Sequence, residues 1–154
     1  MSERTLTQDE LNRWRNFRFM VEETSLKVSR ELDSATGVTG GQFGILSLLL
    51  DAPSRELRQQ EVADAMRWDR TRLSHQLTRM KARGLIERKK GPKAGTMIVL
   101  TALGHKERQR VAPALANAVR RHFFSKLNKA QLQQLDEILV TLRAESRGPE
   151  LASQ

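Results

Sequence analysis

The sequence predicts a mainly α (α+β) fold, a winged helix-turn-helix with a two-stranded β-wing and a helical dimerisation region formed by both termini. Three observations support this prediction. Residues 57–101 have the pattern of a short helix, a turn, a second helix and two strands around a small loop. Residues 55–110 hold 15 Lys and Arg against 6 Asp and Glu, so their net charge of +9 equals that of the whole chain. Apolar residues near both ends recur at helical spacing.

Length and composition narrow the class of protein. A chain of 154 residues is long enough for one domain, or for one domain and an oligomerisation element. It has no apolar stretch near the roughly 20 residues that span a bilayer. Its N-terminal sequence has no signal-peptide core, so we expect a cytoplasmic protein that does not engage a membrane. Without cysteine, disulfides, Cys-ligated zinc and thiol redox sensing are excluded.

The chain divides into four expected segments. They are an N-terminal dimerisation helix at 1–36, a winged helix-turn-helix region at 37–104, C-terminal dimerisation helices at 105–146 and a disordered tail at 147–154. The first helix, over residues 8–35, is apolar on more than one side, so it must bury two surfaces. One surface can pack on its own domain and the other on a second subunit.

Capping residues set the helix boundaries in the central region. The hydroxyl of Thr39 can cap the second helix, and Gln42 three residues later completes a capping box. A short third helix over residues 59–66 follows. After a turn, Asp69 caps the fourth helix, which ends at Gly84, in the position that glycine favours just past a helix C-terminus.

The fourth helix carries most of the residues that we expect to bind nucleic acid. Leu73, Leu77 and Met80 lie at positions i, i+4 and i+7, so they define its buried face. The opposite face is then basic and rich in hydrogen-bonding groups, which can bond base edges in the major groove of DNA. The expected DNA-binding residues of this helix are Arg70, Thr71, Arg72, Ser74, His75 and Arg79. Arg79 is expected to contact phosphates, together with Lys81 and Arg83.

The hairpin adds a second basic surface. Residues 85–90 and 96–100 read as two strands, and residues 91–95 form the tip between them. The basic residues expected to bind DNA here are Arg88, Lys89, Lys90 and Lys93. A basic tip of this size can enter the minor groove, where Lys and Arg respond to groove width and potential.

Two further helices are expected after the hairpin. Thr101 caps the fifth helix, and Pro113 inside it predicts a kink or a break. The sixth helix covers residues 129–145. Its apolar face consists of Leu132, Leu135, Ile138, Leu139 and Leu142. Together with the two-sided first helix, this face favours a homodimer.

Several short motifs resemble the MarR family of winged helix-turn-helix transcription regulators. They are TGGQF at 39–43, EVA at 61–63, DRTRLS at 69–74, LTRM at 77–80, RGLIER at 83–88 and LTALG at 100–104. Each motif is weak alone, but their order and spacing together are fairly specific. The resemblance in sequence covers residues 39–104. At both ends of the chain, the expected arrangement of helices also resembles that of the family.

The resemblance implies a sequence-specific regulator of transcription that binds double-stranded DNA. It implies an obligate homodimer, joined through the first, fifth and sixth helices, on a palindromic operator. It also implies a repressor that a small aromatic or anionic effector releases from DNA. The candidate residues for an effector pocket are Trp14, Phe17, Arg18 and Phe43. The alternative interpretation is that the aromatic residues are core and that Arg18 is solvated.

Two departures from the family pattern bear on these expectations. The family usually pairs an Asp with an Arg near the tip of the wing, and the tip at 91–95 is one residue shorter and has neither. Lys93 is then the available substitute for minor-groove contact. Arg58 also stands where the family usually has a Ser or Thr that caps the third helix.

Trp68, in the turn before the fourth helix, is interpreted as a core residue in preference to a base-stacking one.

Other classes of function stay open as alternatives. A non-specific architectural nucleic-acid-binding protein would use the same basic surface, and an enzyme or small-molecule binder could be basic for unrelated reasons. No nucleotide-binding glycine loop, nucleophile elbow or His–carboxylate pair is recognisable, so we expect no enzyme activity and no cofactor. His105 and His122 would lie about 25 Å apart on an unbroken helix, so no metal site is expected.

Overall fold

The computed structural model describes residues 5–146, apart from the side chains of Lys93 and of residues 144–146. Its helices and strands are α1 Gln8–Thr36, α2 Gly40–Asp51, β1 Glu56–Arg58, α3 Gln59–Met66, α4 Arg70–Ala82, β2 Ile86–Lys90, β3 Thr96–Leu100, α5 Ala102–His122 and α6 Lys129–Ser146. This mainly helical layout with one small antiparallel sheet confirms the predicted fold class. The tail at 147–154, predicted to be disordered, lies outside the described residues. Between residues 5 and 146, no helix combines the length and the apolar character that crossing a membrane requires.

The sheet has three strands in the order β1-β3-β2, where the sequence predicted a two-stranded wing. β2 and β3 form the predicted hairpin, with Glu87 opposite Val99. β1 pairs with the other edge of β3 and places Leu57 opposite Ile98. The prediction missed β1 because this strand is three residues long, too short to show the alternation that marks a strand in a sequence.

Side chains close the helix N-termini where the sequence predicted caps. At α2, the amide of Gln42 donates to Thr39 Oγ1 over 3.2 Å, and the amide of Thr39 donates to Gln42 Oε1 over 3.3 Å. At α4, Asp69 Oδ1 accepts from an amide of the first turn over 2.8 Å. Arg58 precedes α3 and offers no acceptor, but Glu61 Oε2 accepts from the Arg58 amide over 2.6 Å. The Glu61 carboxylate therefore replaces part of the missing cap.

One apolar core joins the helix-turn-helix to the sheet. Leu73, Leu77 and Met80 are fully buried, which confirms the predicted inward face of α4. The other buried members of this core are Ile45, Leu46, Leu49, Val62, Ala63, Leu85, Ile86, Ile98 and Leu100. Because the elements from α2 to β3 share this core, they form one packed unit, which we call the winged head (residues 40–100).

A second apolar cluster joins the winged head to the terminal helices. Phe43 of α2 packs there with Leu32, Val38 and Val111. α5 continues through Pro113 without the break that was one of the two expected outcomes. Pro113 is exposed, so water can bond the carbonyl that a proline leaves without a helical donor.

Candidate nucleic-acid interface

The outward face of α4 presents a dense set of basic and hydroxyl side chains. The buried face of this helix is fixed in the core of the winged head, so the rest of its surface faces solvent. The exposed members of the predicted set are Arg70, Thr71, Arg72, His75 and Arg79, and Ser74 is half-buried. Most of them lie in the N-terminal half of the helix, the part that contacts base edges when such a helix occupies the major groove.

Arg72 is held against Trp68. Its Cζ lies 4.3 Å from the centroid of the indole ring, a distance at which a guanidinium is attracted to the aromatic face. The half-buried indole packs against the core of the winged head. It also approaches α2 so closely that a Cβ on Gly41 would lie 2.9 Å from Trp68 Cζ2. Trp68 is therefore a core residue, and its ring face orients the Arg72 guanidinium.

Arg88 of β2 is tied to α4. Its half-buried guanidinium donates from Nη2 to the carbonyl oxygen of Ser74 over 3.3 Å. Its Nε is buried and has no hydrogen-bond partner within the described part of the chain. Lys89 and Lys90, by contrast, are exposed. Arg88 thus joins the wing to the middle of α4, and the two lysines are the side chains that β2 offers to a polyanion.

The tip of the wing is a compact turn. Pro92–Ala94 form one turn of 3-10 helix, and the amide of Gly91 donates to the carbonyl oxygen of Gly95 over 2.7 Å. Ala94 adopts a φ of 58°, in the left-handed region that residues other than glycine seldom occupy. Lys93 is the middle residue of this turn, and its side chain is outside the described part of the structure.

Ion pairs join the C-terminal end of α4 to α5. Arg83 Nη2 lies 3.3 Å from Glu107 Oε1, and Arg110 holds the same carboxylate through Nη2 and Nε over 2.7 and 2.9 Å. The hydrogen bonds from Arg110 lower the pKa of Glu107, and the charges of Arg110 and Arg83 add to the effect. The stability that Glu107 contributes is therefore present at neutral pH and is lost as the pH falls through this lowered pKa. Sequence reasoning missed the network because 24 residues separate Arg83 from Glu107.

A cavity of about 630 Å³ lies between α1, α5 and α6. The four candidate effector residues do not all converge on it. Phe17 lines the cavity, and Trp14 stacks on Phe17 with ring centroids 6.1 Å apart. Arg18 pairs with Glu22 over 3.2 Å on the surface. Phe43 is buried in the cluster between α1, α2 and α5 and does not line this cavity.

His122 forms a His–carboxylate pair that was not recognisable in the sequence. Its Nε2 lies 2.7 Å from Glu31 Oε2, and the two residues are 91 positions apart in the chain. Arg121 Nη1 lies 3.3 Å from the other oxygen of Glu31. These contacts tie α5 to α1. Among residues 5–146, there is no cluster of three or more His, Cys, Asp or Glu side chains that could bind a metal ion.

Comparison with known proteins identifies the family. The family model for MarR proteins matches residues 36–95, which include α2, the helix-turn-helix and the tip of the wing. No curated protein matches the sequence significantly.

Solved structures match nearly the whole chain. Sco3205, a MarR family transcriptional regulator from Streptomyces coelicolor solved in complex with DNA, is 31% identical over 98% of this chain and 96% of its own, with a TM-score of 0.82. AbsC, a MarR family transcriptional regulator from the same organism, is 30% identical over 95% of this chain and 99% of its own, with a TM-score of 0.80. A mutant MarR from E. coli complexed with operator DNA shares the fold at 18% identity, over 90% of this chain and 99% of its own, with a TM-score of 0.75. The chain belongs to the MarR family of transcription regulators.

Proposed function

We propose that this MarR family regulator binds double-stranded DNA sequence-specifically, as a homodimer on a palindromic operator. The outward face of α4 carries the proposal, because Arg70, Arg72 and His75 are exposed on a helix whose opposite face is locked in the core. Sco3205, at 31% identity, was solved in complex with DNA. Two such heads related by a twofold axis would meet half-sites about 10 base pairs apart, or a multiple of that distance.

Exposed apolar surface on α1 and α6 supports the homodimer. The large apolar side chains that face solvent include Trp14, Phe17, Phe19, Met20, Val21 and Leu26 of α1 and Ile138, Leu139 and Val140 of α6. Some of them, such as Phe17 and Ile138, line one shared cavity. Monomeric proteins seldom expose a contiguous apolar patch of more than a few hundred Å². A second copy would cover α1 and α6 with the same surface of its own, as a twofold interface requires.

The cavity between α1, α5 and α6 supports a repressor that responds to a ligand. Its volume of about 630 Å³ lies within the range of about 300–1,000 Å³ that is usual for small-molecule pockets. Phe17 offers an aromatic surface, and Lys126 offers N–H donors to an anion. A small aromatic or anionic effector bound there would contact α1 and α5, to which the winged head is attached. Because the regulator acts on DNA, the proposal places it in the cytoplasm.

A competition gel-shift at fixed salt tests sequence-specific binding. The DNA sites are first selected from random sequence with the protein itself. A specific regulator should prefer its selected operator over random DNA by roughly 10³-fold or more. A preference near unity would support the alternative, a non-specific architectural protein that uses the same basic surface. Undetectable binding at low salt would reject both.

Arg72→Ala should weaken operator binding by about 1–3 kcal/mol and relax specificity at one base pair of each half-site, if the guanidinium bonds a guanine. The expectation rests on its exposure and on its fixed position over Trp68. Lys81→Ala is the matched control, because Lys81 is an exposed cation at the other end of the same helix. This variant should weaken binding to all DNA sequences equally and reduce the dependence of the affinity on salt concentration. Equal weakening by Arg72→Ala on every sequence would assign Arg72 to a phosphate.

A further inference from the structure

One guanidinium connects four helices. Arg83 directly follows α4, and its Nη1 donates to the carbonyl oxygen of Gly37, at the end of α1, over 3.1 Å. The same Nη1 lies 3.4 Å from Oε1 of Gln42 in the first turn of α2. Nη2 donates to Glu107 in the first half of α5 over 3.3 Å. Arg83 was expected to reach phosphates, but its donors point to acceptors within the protein.

Glu107 is held more tightly by Arg110 of its own helix than by Arg83. Arg110, one turn further along α5, binds the Glu107 carboxylate over 2.7 and 2.9 Å. The Nη2 of Arg110 also donates to the carbonyl oxygen of Thr36 over 2.9 Å. The bonds that Arg83 makes are longer, from 3.1 to 3.4 Å. The network thus has a tight side in the terminal helices and a looser side at α4.

The looser side of the network lies where α4 meets the terminal helices. The apolar residues of α4 belong to the core of the winged head, whereas Phe43 of α2 makes the apolar contact with α1 and α5. Among the described residues, the pair of Arg83 and Glu107 is the ion pair that spans α4 and α5 directly. The side chain of Gln42 is buried, with 5% exposed, and its Nε2 lies 3.4 Å from Gln76 Oε1 of α4. A shift of α4 against α5 must therefore stretch or break the pair of Arg83 and Glu107.

We infer that Arg83 and Glu107 are positioning residues that fix the angle between α4 and α5. They thereby fix the distance between the two α4 helices of the dimer. This inference rests on the proposed function, since it concerns the spacing of half-sites on DNA. Arg83 joins the winged head to this carboxylate, and the shorter pair of Arg110 and Glu107 keeps the acceptor in place.

The test measures how sharply the protein prefers one half-site spacing. The operator is selected from random DNA with the wild-type protein, and its half-sites are then moved together or apart by one and two base pairs. Affinities for this series, and for a single half-site, are measured by fluorescence anisotropy at fixed salt. Glu107→Gln removes the charge that faces Arg83 and leaves every basic side chain in place. It should reduce the preference for the best spacing by about fivefold or more, the lower limit of typical coupling between sites, with single-half-site affinity unchanged.

Two further variants separate positioning from phosphate contact. Arg83→Met should broaden the spacing preference in the same way. Lys81→Met removes one positive charge from an exposed position near the same end of α4 but leaves the pair of Arg83 and Glu107 intact, so it should weaken binding at every spacing equally and keep the wild-type spacing preference. Thermal unfolding of each variant checks that the subunit is folded.

Two results would overturn the inference, and they differ. If Arg83→Met weakened binding equally at every spacing while Glu107→Gln kept the wild-type spacing profile, Arg83 would be a phosphate contact and the positioning role would be wrong, with the proposed function intact. If the wild-type protein selected no operator from random DNA, the proposed function would fail and the inference with it.

Discussion

Gly104→Ala should destabilise the protein strongly, although alanine is by about 1 kcal/mol the better helix former. Gly104 is buried in the first turn of α5, where its amide donates to Thr101 Oγ1 over 2.9 Å. A Cβ at this position would overlap the carbonyl oxygen of Leu85 and lie 2.9 Å from Leu100 Cδ1. Because the obstacle is backbone, it cannot rotate away, and we expect a loss of about 3 kcal/mol, the upper end of the usual range for overpacking.

Urea unfolding of Gly104→Ala at fixed protein concentration measures this loss, since the stability of a dimer depends on concentration. Gly40→Ala is the matched control. It also adds a methyl group to the first turn of a helix, but its Cβ would meet only the hydroxyl of Ser29, at 3.2 Å, and that side chain can rotate. We expect a change of no more than about 1 kcal/mol there. An unchanged or increased stability of Gly104→Ala would show that α5 can move away from Leu85 at little cost.

The close approach at Gly104 also explains how α5 is attached to the winged head. Thr101 caps α5 by accepting from the amide of Gly104, and the same hydroxyl donates to the carbonyl oxygen of Gly84 over 2.7 Å. The Thr101 amide bonds the Leu85 carbonyl over 3.3 Å. The first turn of α5 is therefore fixed to the turn between α4 and β2. In the Gly104→Ala variant, the angle between α5 and the head should change as well as the stability.

Features of the fold that depend on local chemistry were predictable from the sequence. The box formed by Thr39 and Gln42 and the cap at Asp69 depend on residues within one turn of a helix, so spacing alone reveals them. The buried face of α4 follows from helical periodicity at Leu73 and Leu77. Once that face is fixed, the exposed face follows by geometry, and so does the candidate DNA surface.

Features that depend on tertiary contact were not predictable. β1 exists because β3 has a free edge for it, and its three residues have no pattern of their own. Arg88 looked like a free basic residue of the wing, but the fold brings it to the carbonyl of Ser74 on another element. His122 and Glu31 are 91 positions apart. A charged residue in a sequence shows what it can bond and leaves open which acceptor the fold brings to it.

Ile138→Asp should split the homodimer. Ile138 of α6 is 55% exposed in the single subunit and lines the apolar cavity shared with α1, so the substitution should leave the subunit folded. In the proposed dimer it would place a carboxylate in an apolar interface. We expect a loss of about 2–4 kcal/mol in dimerisation free energy, as at central interface positions of other complexes. Operator affinity should then fall by about 10²- to 10⁴-fold, because two linked heads no longer bind together.

Gln133→Asp is the matched control for this prediction. It introduces the same side chain on an exposed position of α6 that does not line the cavity, so the dimer and its operator affinity should be retained. Sedimentation equilibrium gives the mass of each variant against the 17.6 kDa of one chain. A wild-type mass of one chain at micromolar concentration would contradict the dimer itself. A stable dimer of Ile138→Asp would instead place the interface away from α6, because a carboxylate cannot stay buried among apolar side chains without a partner.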